Sequence, residues 1–109
     1  MNYSSHVVEV VRSATFDRWL RKLKDRRAVA RVLVRIDRLA SGNPGDVKPV
    51  GAGISELRID YGPGYRVYYL HEGDLLIVLL CGGDKSSQDD DIAAAHTIAA
   101  AWRDHEHDD

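Results

Sequence analysis

The segment "LLIVLLCGGDKSSQDDDI", residues 75–92, contains the signals that decide the fold. Its first seven residues are apolar on both faces, which predicts a central strand covered by helices on one side. We expect the glycine pair 82–83 to end this strand and a serine of the pair 86–87 to cap the helix that follows. The aspartates at 89–91 lie where a helix dipole favours negative charge, so they need no catalytic role. The spacing predicts a strand, a sharp turn and a helix, with Lys85 exposed on the turn.

The part of the chain before this segment begins with a predicted strand and two predicted helices. Residues 6–12 are short and rich in β-branched side chains, which favours a strand. Apolar residues recur at helical spacing in "TFDRWLRKLKD", with Thr15 as the expected N-cap, and again in "AVARVLVRIDRLASG", which ends at Gly42 and Pro44. Basic residues fill the other faces. We expect the two helices to form an antiparallel hairpin.

Between the helices and the opening segment, the pattern alternates as in a strand. "ISELRIDYGPGYRVYYL", residues 54–70, reads as a β-hairpin that turns at "GPG". If Leu57 and Val67 face the helices, Arg58, Arg66 and Tyr68 lie together on the other face as a basic surface. The predicted order is β-α-α-β-β-β-α, an α+β fold in which the helical hairpin packs on a small, mostly antiparallel four-stranded sheet. The last helix, which is rich in alanine, is expected at one edge.

Composition indicates a single domain spanning residues 1–109, with 104–109 as a frayed acidic tail. Residues 1–70 carry a charge balance of +6 and residues 71–109 one of −8, so the formal net charge of −2 hides a strong asymmetry. The basic part suits an acidic partner such as nucleic acid or an acidic protein segment, or else a merely solvated surface. No signal peptide or membrane span is recognisable, which makes the cytoplasm the expected compartment.

The order of these motifs resembles a known toxin family. The basic helical hairpin followed by "ELRI", "GYRVYY" and "GGDKSSQ" is similar to the RelE/ParE superfamily of toxins from type II toxin–antitoxin modules. The nearest branch is the phage-derived, HigB-like group of addiction module killer proteins, and the similarity covers about residues 7–103. It implies the RelE-like fold. It also implies a partner antitoxin, expected to bind DNA through a helix-turn-helix, with oligomers formed through that complex.

Two activities are compatible with this resemblance. RelE-like relatives cut messenger RNA on the ribosome, and ParE-like relatives inhibit DNA gyrase by protein binding. The nuclease is our expectation, because its working arginines correspond to Arg58 and Arg66 and its basic residue after the last strand corresponds to Lys85. Two departures leave the general acid and base open: Glu56 stands where a lysine is usual, and no tyrosine follows Lys85 in the terminal segment. An inactive remnant that only binds antitoxin is a third possibility.

The chemistry of the candidate residues also has alternatives. Arginine is a poor proton shuttle, so Lys85 or Tyr68 would have to move protons, and Tyr68 could instead stack on a base. Glu56 is an alternative base or RNA contact, and Lys48, in the expected loop "GDVKPVG", is an outlying RNA contact. Without the resemblance, the two arginines read equally well as solvated strand residues, and Lys85 as a turn lysine paired with Asp84. The histidines lack ligand spacing, so we predict no metal and no cofactor.

Overall fold

The computed structural model describes residues 8–106, except for the side chain of Glu106. Strand β1 is Glu9–Arg12, helix α1 is Ala14–Lys22 and helix α2 is Arg26–Ala40. The sheet continues with β2, Val47–Gly51; β3, Ile54–Ile59; β4, Tyr65–Glu72; and β5, Leu76–Asp84. A 3-10 turn, Lys85–Ser87, leads into helix α3, Gln88–Glu106. Residues 6 and 7 of the predicted first strand and 107–109 of the predicted tail lie outside the described residues.

The sheet has five strands in the order β1-β5-β4-β3-β2, so the expected number of four was wrong. The additional strand is β2, which lies in the segment predicted to be a loop. It pairs antiparallel with β3 at the edge of the sheet, where Pro49 is tolerated because its missing N–H breaks no interior ladder. The other neighbours are antiparallel too, except β1, which runs parallel to β5. The α+β architecture and the mostly antiparallel sheet are otherwise as expected.

Helices cover both faces of this sheet. On the first face, α1 and α2 pack Phe16, Val32 and Ile36 against strand residues that include Leu57 and Val67, as the alternation predicted. On the second face, α3 lies over the strands instead of at the edge where it was expected. This close approach is possible because the buried positions of α3 are alanines, Ala95 and Ala99, which are 0% and 1% exposed.

The glycine pair lies inside strand β5 and does not end it. A side chain on Gly82 would overlap the indole of Trp19 from α1, and one on Gly83 would overlap the carboxylate of Asp91 from α3. The two glycines point to opposite faces of the strand, as neighbouring residues do. They therefore let a helix side chain approach β5 on each side, which is a requirement of packing and not of a turn.

Helix α1 is capped by Ser13 and not by the predicted Thr15, which lies inside the helix. The Ser13 hydroxyl accepts a hydrogen bond from the Phe16 N–H at 2.9 Å and donates one to the Leu80 carbonyl at 2.6 Å. It thus joins the start of α1 to β5. Only a residue before the first helical turn can accept from that N–H, and the helix begins two residues earlier than a cap at Thr15 would give.

Replacing Ser13 with alanine is expected to lower the free energy of unfolding by about 1 kcal/mol, since both hydrogen bonds are lost. Thr15→Ala is the control, and it should change stability by less than about 0.5 kcal/mol because alanine suits a helix interior. Urea unfolding of both variants measures the difference. A larger loss for Thr15→Ala would place the cap where the sequence suggested.

Candidate functional site

A cleft of about 540 Å³ opens on the second face of the sheet, beyond the start of α3. It is lined by residues from β2, β3, β4, the 3-10 turn and the first position of α3. Four of the lining side chains are cationic and two are acidic: Lys48, Arg58, Arg66 and Lys85, with Asp46 and Asp60. Three of the four residues predicted to be catalytic and one predicted RNA contact therefore meet in one place.

The sheet register places the two arginines next to each other. Arg58 of β3 is directly opposite Arg66 of β4, and their side chains are 35% and 13% exposed. Like charges facing each other across a strand pair are destabilising unless something neutralises them. Here the counter-charge comes from Glu56, two residues before Arg58 on the same face.

The Glu56 side chain has no exposed surface (0%) and is surrounded by hydrogen-bond donors. Its Oε1 accepts from Arg58 Nε at 3.0 Å and Arg66 Nη1 at 3.3 Å. Its Oε2 accepts from the Tyr68 hydroxyl at 2.9 Å and Gln88 Nε2 at 2.8 Å. Burial alone raises the pKa of Glu56, but the hydrogen bonds from Arg58, Gln88 and Tyr68 outweigh it, so this pKa lies below its ordinary value. Enclosed in this way, Glu56 cannot contact RNA as predicted.

Tyr68 lies beneath the cleft and not in it. Its ring is completely buried in the cluster under α3, and its hydroxyl donates to Glu56. Burial and that hydrogen bond raise the pKa of Tyr68 far above its ordinary value. A phenol with no exposed surface cannot stack on a base, so the structure does not support this predicted role. The alternation of β4 gave the correct face for Tyr68 but not its depth.

Lys85 and Lys48 are the two exposed cations of the cleft. The predicted pair of Lys85 with Asp84 is absent, because the Asp84 carboxylate instead accepts from the Ser86 N–H at 2.8 Å and caps the 3-10 turn. Within residues 8–106, Lys85 makes no ion pair. Lys48 is on β2, opposite Glu56 in the register, so it belongs to a strand and not to the expected loop. Both ammonium groups are accessible from solvent.

A protein-family model matches most of the chain and identifies its family. The model described as Phage derived protein Gp49-like (DUF891) matches residues 18–103, which include the later part of α1, all of α2 and every strand of the cleft. The chain belongs to this family. A Haemophilus influenzae protein described as uncharacterized is 53% identical over 92 residues, covering 84% of this chain and 93% of the relative.

The fold of this Gp49-like protein is also found in a solved toxin structure. The crystal structure of the toxin–antitoxin complex RelBE2 from Mycobacterium tuberculosis contains a chain that matches with a TM-score of 0.58 and 25% identity. The match covers 72% of this chain and 98% of the other. With the family match, it confirms the resemblance to RelE-like toxins of the phage-derived addiction-module group.

Sequence reasoning missed two residues of this site in the Gp49-like protein, Asp46 and Gln88. Gln88 is the less obvious of the two. It begins α3, yet its amide reaches back to Glu56 on β3 and lines the cleft. Residues 56 and 88 are distant in sequence, and no spacing rule connects them. The signal that could have found it is its place in the motif "GGDKSSQ", which carried the family resemblance.

Other reactive groups of the Gp49-like protein do not join the cleft. Cys81 is buried, and burial together with the charge of Asp91 raises the pKa of its thiol to about 12. No group of three His, Cys, Asp or Glu side chains within the described residues is placed to hold a metal ion. Over the same residues, no helix is both long and apolar enough to cross a membrane.

Proposed function

We propose that this Gp49-like protein is the toxin of a type II toxin–antitoxin module and cleaves messenger RNA on the ribosome. The observation that supports the proposal best is the convergence of Arg58, Arg66 and Lys85 in one cleft, where the arginines are already held by a buried carboxylate. An arrangement of fixed guanidinium groups beside a free ammonium group suits a phosphodiester whose negative charge grows during the reaction.

Cleavage by attack of the ribose 2′-hydroxyl makes three demands on the protein. Charge on the pentavalent phosphorus centre must be neutralised, the leaving 5′ oxygen must receive a proton, and the 2′-hydroxyl must lose one. Arg58 and Arg66 meet the first demand through N–H groups not used by Glu56. Arginine remains protonated, so the proton must come from Lys85 or Lys48. We assign this step to Lys85, because it corresponds to the basic residue after the last strand in RelE-like nucleases.

The proton acceptor cannot be Glu56, which is enclosed. Asp46 is the carboxylate beside the arginine pair, 3.9 Å from Arg58 and with a side chain that is 64% exposed. An incoming 2′-hydroxyl could meet it directly. We therefore assign proton removal to Asp46, in a reaction that uses neither a metal nor a cofactor.

The proposed partner is an antitoxin that covers the basic part of the molecule. The matched structure is a toxin–antitoxin complex, and the excess of basic residues over 1–70 favours an acidic or amphipathic segment of the partner. A second, DNA-binding part of the antitoxin and oligomers formed through it complete the proposal.

Lys85 gives the cleanest test, because it is exposed and makes no ion pair within residues 8–106, so we expect its replacement to leave the fold intact. On controlled expression, the wild type and the control variant Lys24→Ala, an exposed lysine outside the cleft, should stop growth and produce codon-phased transcript 5′ ends. Lys85→Ala should lose both effects, with cleavage reduced about 100-fold or more. Mapping of 5′ ends across the cell's transcripts measures this.

Two results would contradict the proposal. Growth arrest with intact transcripts and signs of DNA damage would favour the gyrase inhibitor, whose action needs no proton transfer. Unchanged cleavage by Lys85→Ala would remove Lys85 from the mechanism. Circular dichroism spectra of the purified variants verify that both lysine substitutions leave the secondary structure unchanged.

A further inference from the structure

We propose that Glu56 is a positioning residue: its buried carboxylate fixes the directions of Arg58 and Arg66 and so builds the phosphate site without touching RNA. The effect of Glu56 on cleavage rests on the proposed function. The fixing of the two arginines by Glu56 concerns only the geometry of the cleft and does not depend on that function. It assigns to Glu56 neither the base role nor the RNA contact that the sequence suggested.

One carboxylate oxygen of Glu56 accepts hydrogen bonds from charged donors and the other accepts them from neutral donors. Oε1 accepts from the two guanidinium groups, and Oε2 accepts from the neutral Tyr68 hydroxyl and Gln88 amide. An ionised carboxylate has about four lone-pair sites, and four donors from β3, β4 and α3 occupy them. The neutral donors therefore fix the carboxylate, and the carboxylate fixes the arginines.

The arginines keep donors free for a ligand in this arrangement. Each guanidinium has five N–H groups in a rigid plane, and Glu56 uses Nε of Arg58 and Nη1 of Arg66. The Nε of Arg66 is buried and has no hydrogen-bond partner among residues 8–106. The Arg66 side chain is 13% exposed and donates to Glu56 through Nη1, so Glu56 and the surrounding sheet hold its orientation.

A negative charge below an anion site has two opposite effects. It weakens the attraction of the cleft for RNA in the ground state, because it cancels part of the arginine charge. It also removes the need to reorient the arginines when charge develops on the phosphate, which lowers the barrier. Removing the charge of Glu56 should therefore reduce the cleavage rate without reducing RNA affinity. A residue with a purely structural role would not separate these two quantities.

The test compares wild type with Glu56→Gln, which has nearly the same shape and no charge. On ribosomes programmed with a short messenger, the single-turnover rate at saturation should fall about 10- to 100-fold. The Kd for the same ribosomes carrying a 2′-deoxy substitution at the scissile position should stay unchanged or decrease. Tyr68→Phe removes one of the two neutral donors to Oε2 but keeps the charge of Glu56, so it should lower the rate less than Glu56→Gln does. Lys24→Ala, at an exposed lysine outside the cleft, is the control that should leave the rate unchanged.

The same change in an Arg66→Ala background shows whether Glu56 acts through the arginine. If it does, Glu56→Gln should reduce the single-turnover cleavage rate much less in the Arg66→Ala background than in the wild type, because the arginine that Glu56 positions is gone. The proposal would be overturned if Glu56→Gln reduced the cleavage rate equally in both backgrounds. It would also be overturned if the cleavage rate and the affinity for ribosomes fell together.

A second measurement separates this proposal from the proposed function. In ¹⁵N spectra of the free protein, the Nε–H signal of Arg58 should be shifted from that of free arginine and slow to exchange, and both properties should be lost in Glu56→Gln. If the Arg58 signal is lost in Glu56→Gln but the wild type cuts no RNA, the proposed nuclease function is wrong and the positioning role of Glu56 is still supported. Unchanged arginine signals would overturn the positioning role even if the wild type cleaves. If Glu56→Gln does not fold, Glu56→Asp, which keeps the charge but shortens the side chain, should produce the same loss of the arginine signal.

Discussion

Gly82→Ala is expected to destabilise the protein by about 2–3 kcal/mol, because the added methyl group would overlap a packed aromatic ring. The ring is the indole of Trp19, which lies on the Gly82 backbone. Its centroid is 5.8 Å from that of Phe16 and 6.3 Å from that of Tyr65, so neighbours on two sides restrict its movement. In a domain of this size, we expect the melting temperature to fall by about 10 °C or more.

Shortening Trp19 provides the matched control for this prediction. In a Trp19→Leu background, the additional cost of Gly82→Ala should drop below about 1 kcal/mol, because leucine leaves room for the methyl group. Thermal unfolding of the four proteins completes the cycle. The same cost in both backgrounds would show that the glycine is required for another reason, such as backbone geometry.

Arg66→Ala is expected to reduce the cleavage rate by about 10²- to 10³-fold, the usual effect of removing one preorganised donor to a developing charge. It should also lower the free energy of unfolding by about 2 kcal/mol, since the buried Glu56 loses a cationic partner and keeps Arg58, Tyr68 and Gln88. Single-turnover kinetics and urea unfolding measure the two effects separately.

Arg12→Ala is the control for Arg66→Ala. Arg12 forms an exposed pair with Asp17 at 2.7 Å, far in sequence from the cleft residues. Its loss should cost less than about 1 kcal/mol and leave cleavage unchanged. If Arg66→Ala were as mild as Arg12→Ala in both measurements, neither the burial of the ion pair nor the cleft would have the importance assigned to it here.

Periodicity predicted the helices, the β3–β4 hairpin and the common face of Arg58 and Arg66, because these features depend on local repeats. It could not predict β2, whose proline and glycine are typical of loops and whose proline is tolerated because the strand lies at an edge. Nor could it place α3, since an alanine-rich helix has no strong apolar stripe that would indicate which surface it covers.

The depth of the site residues on the sheet could not be predicted from the sequence either. Alternation along β3 gave the correct face for Glu56 and Arg58 but not the difference in depth between them. Glu56 is enclosed because Gln88 and Tyr68 arrive from α3 and β4, whereas Arg58 lies at the open side of the same cleft. Depth on a sheet face depends on what covers it, and that cover comes from residues distant in sequence.

The parallel pairing of β1 with β5 has a consequence for when the cleft forms during synthesis. Glu9 pairs with Leu76 and Arg12 with Leu79. Strand β1 is translated early, but it can join the sheet only after β5 has been synthesised. Contacts between such distant residues close a long loop and form late in folding. The strand that follows Arg66 in the sheet and leads into Lys85 is this same β5. An incomplete nascent chain therefore has no cleft, because the cleft needs β4, the 3-10 turn and the first residue of α3.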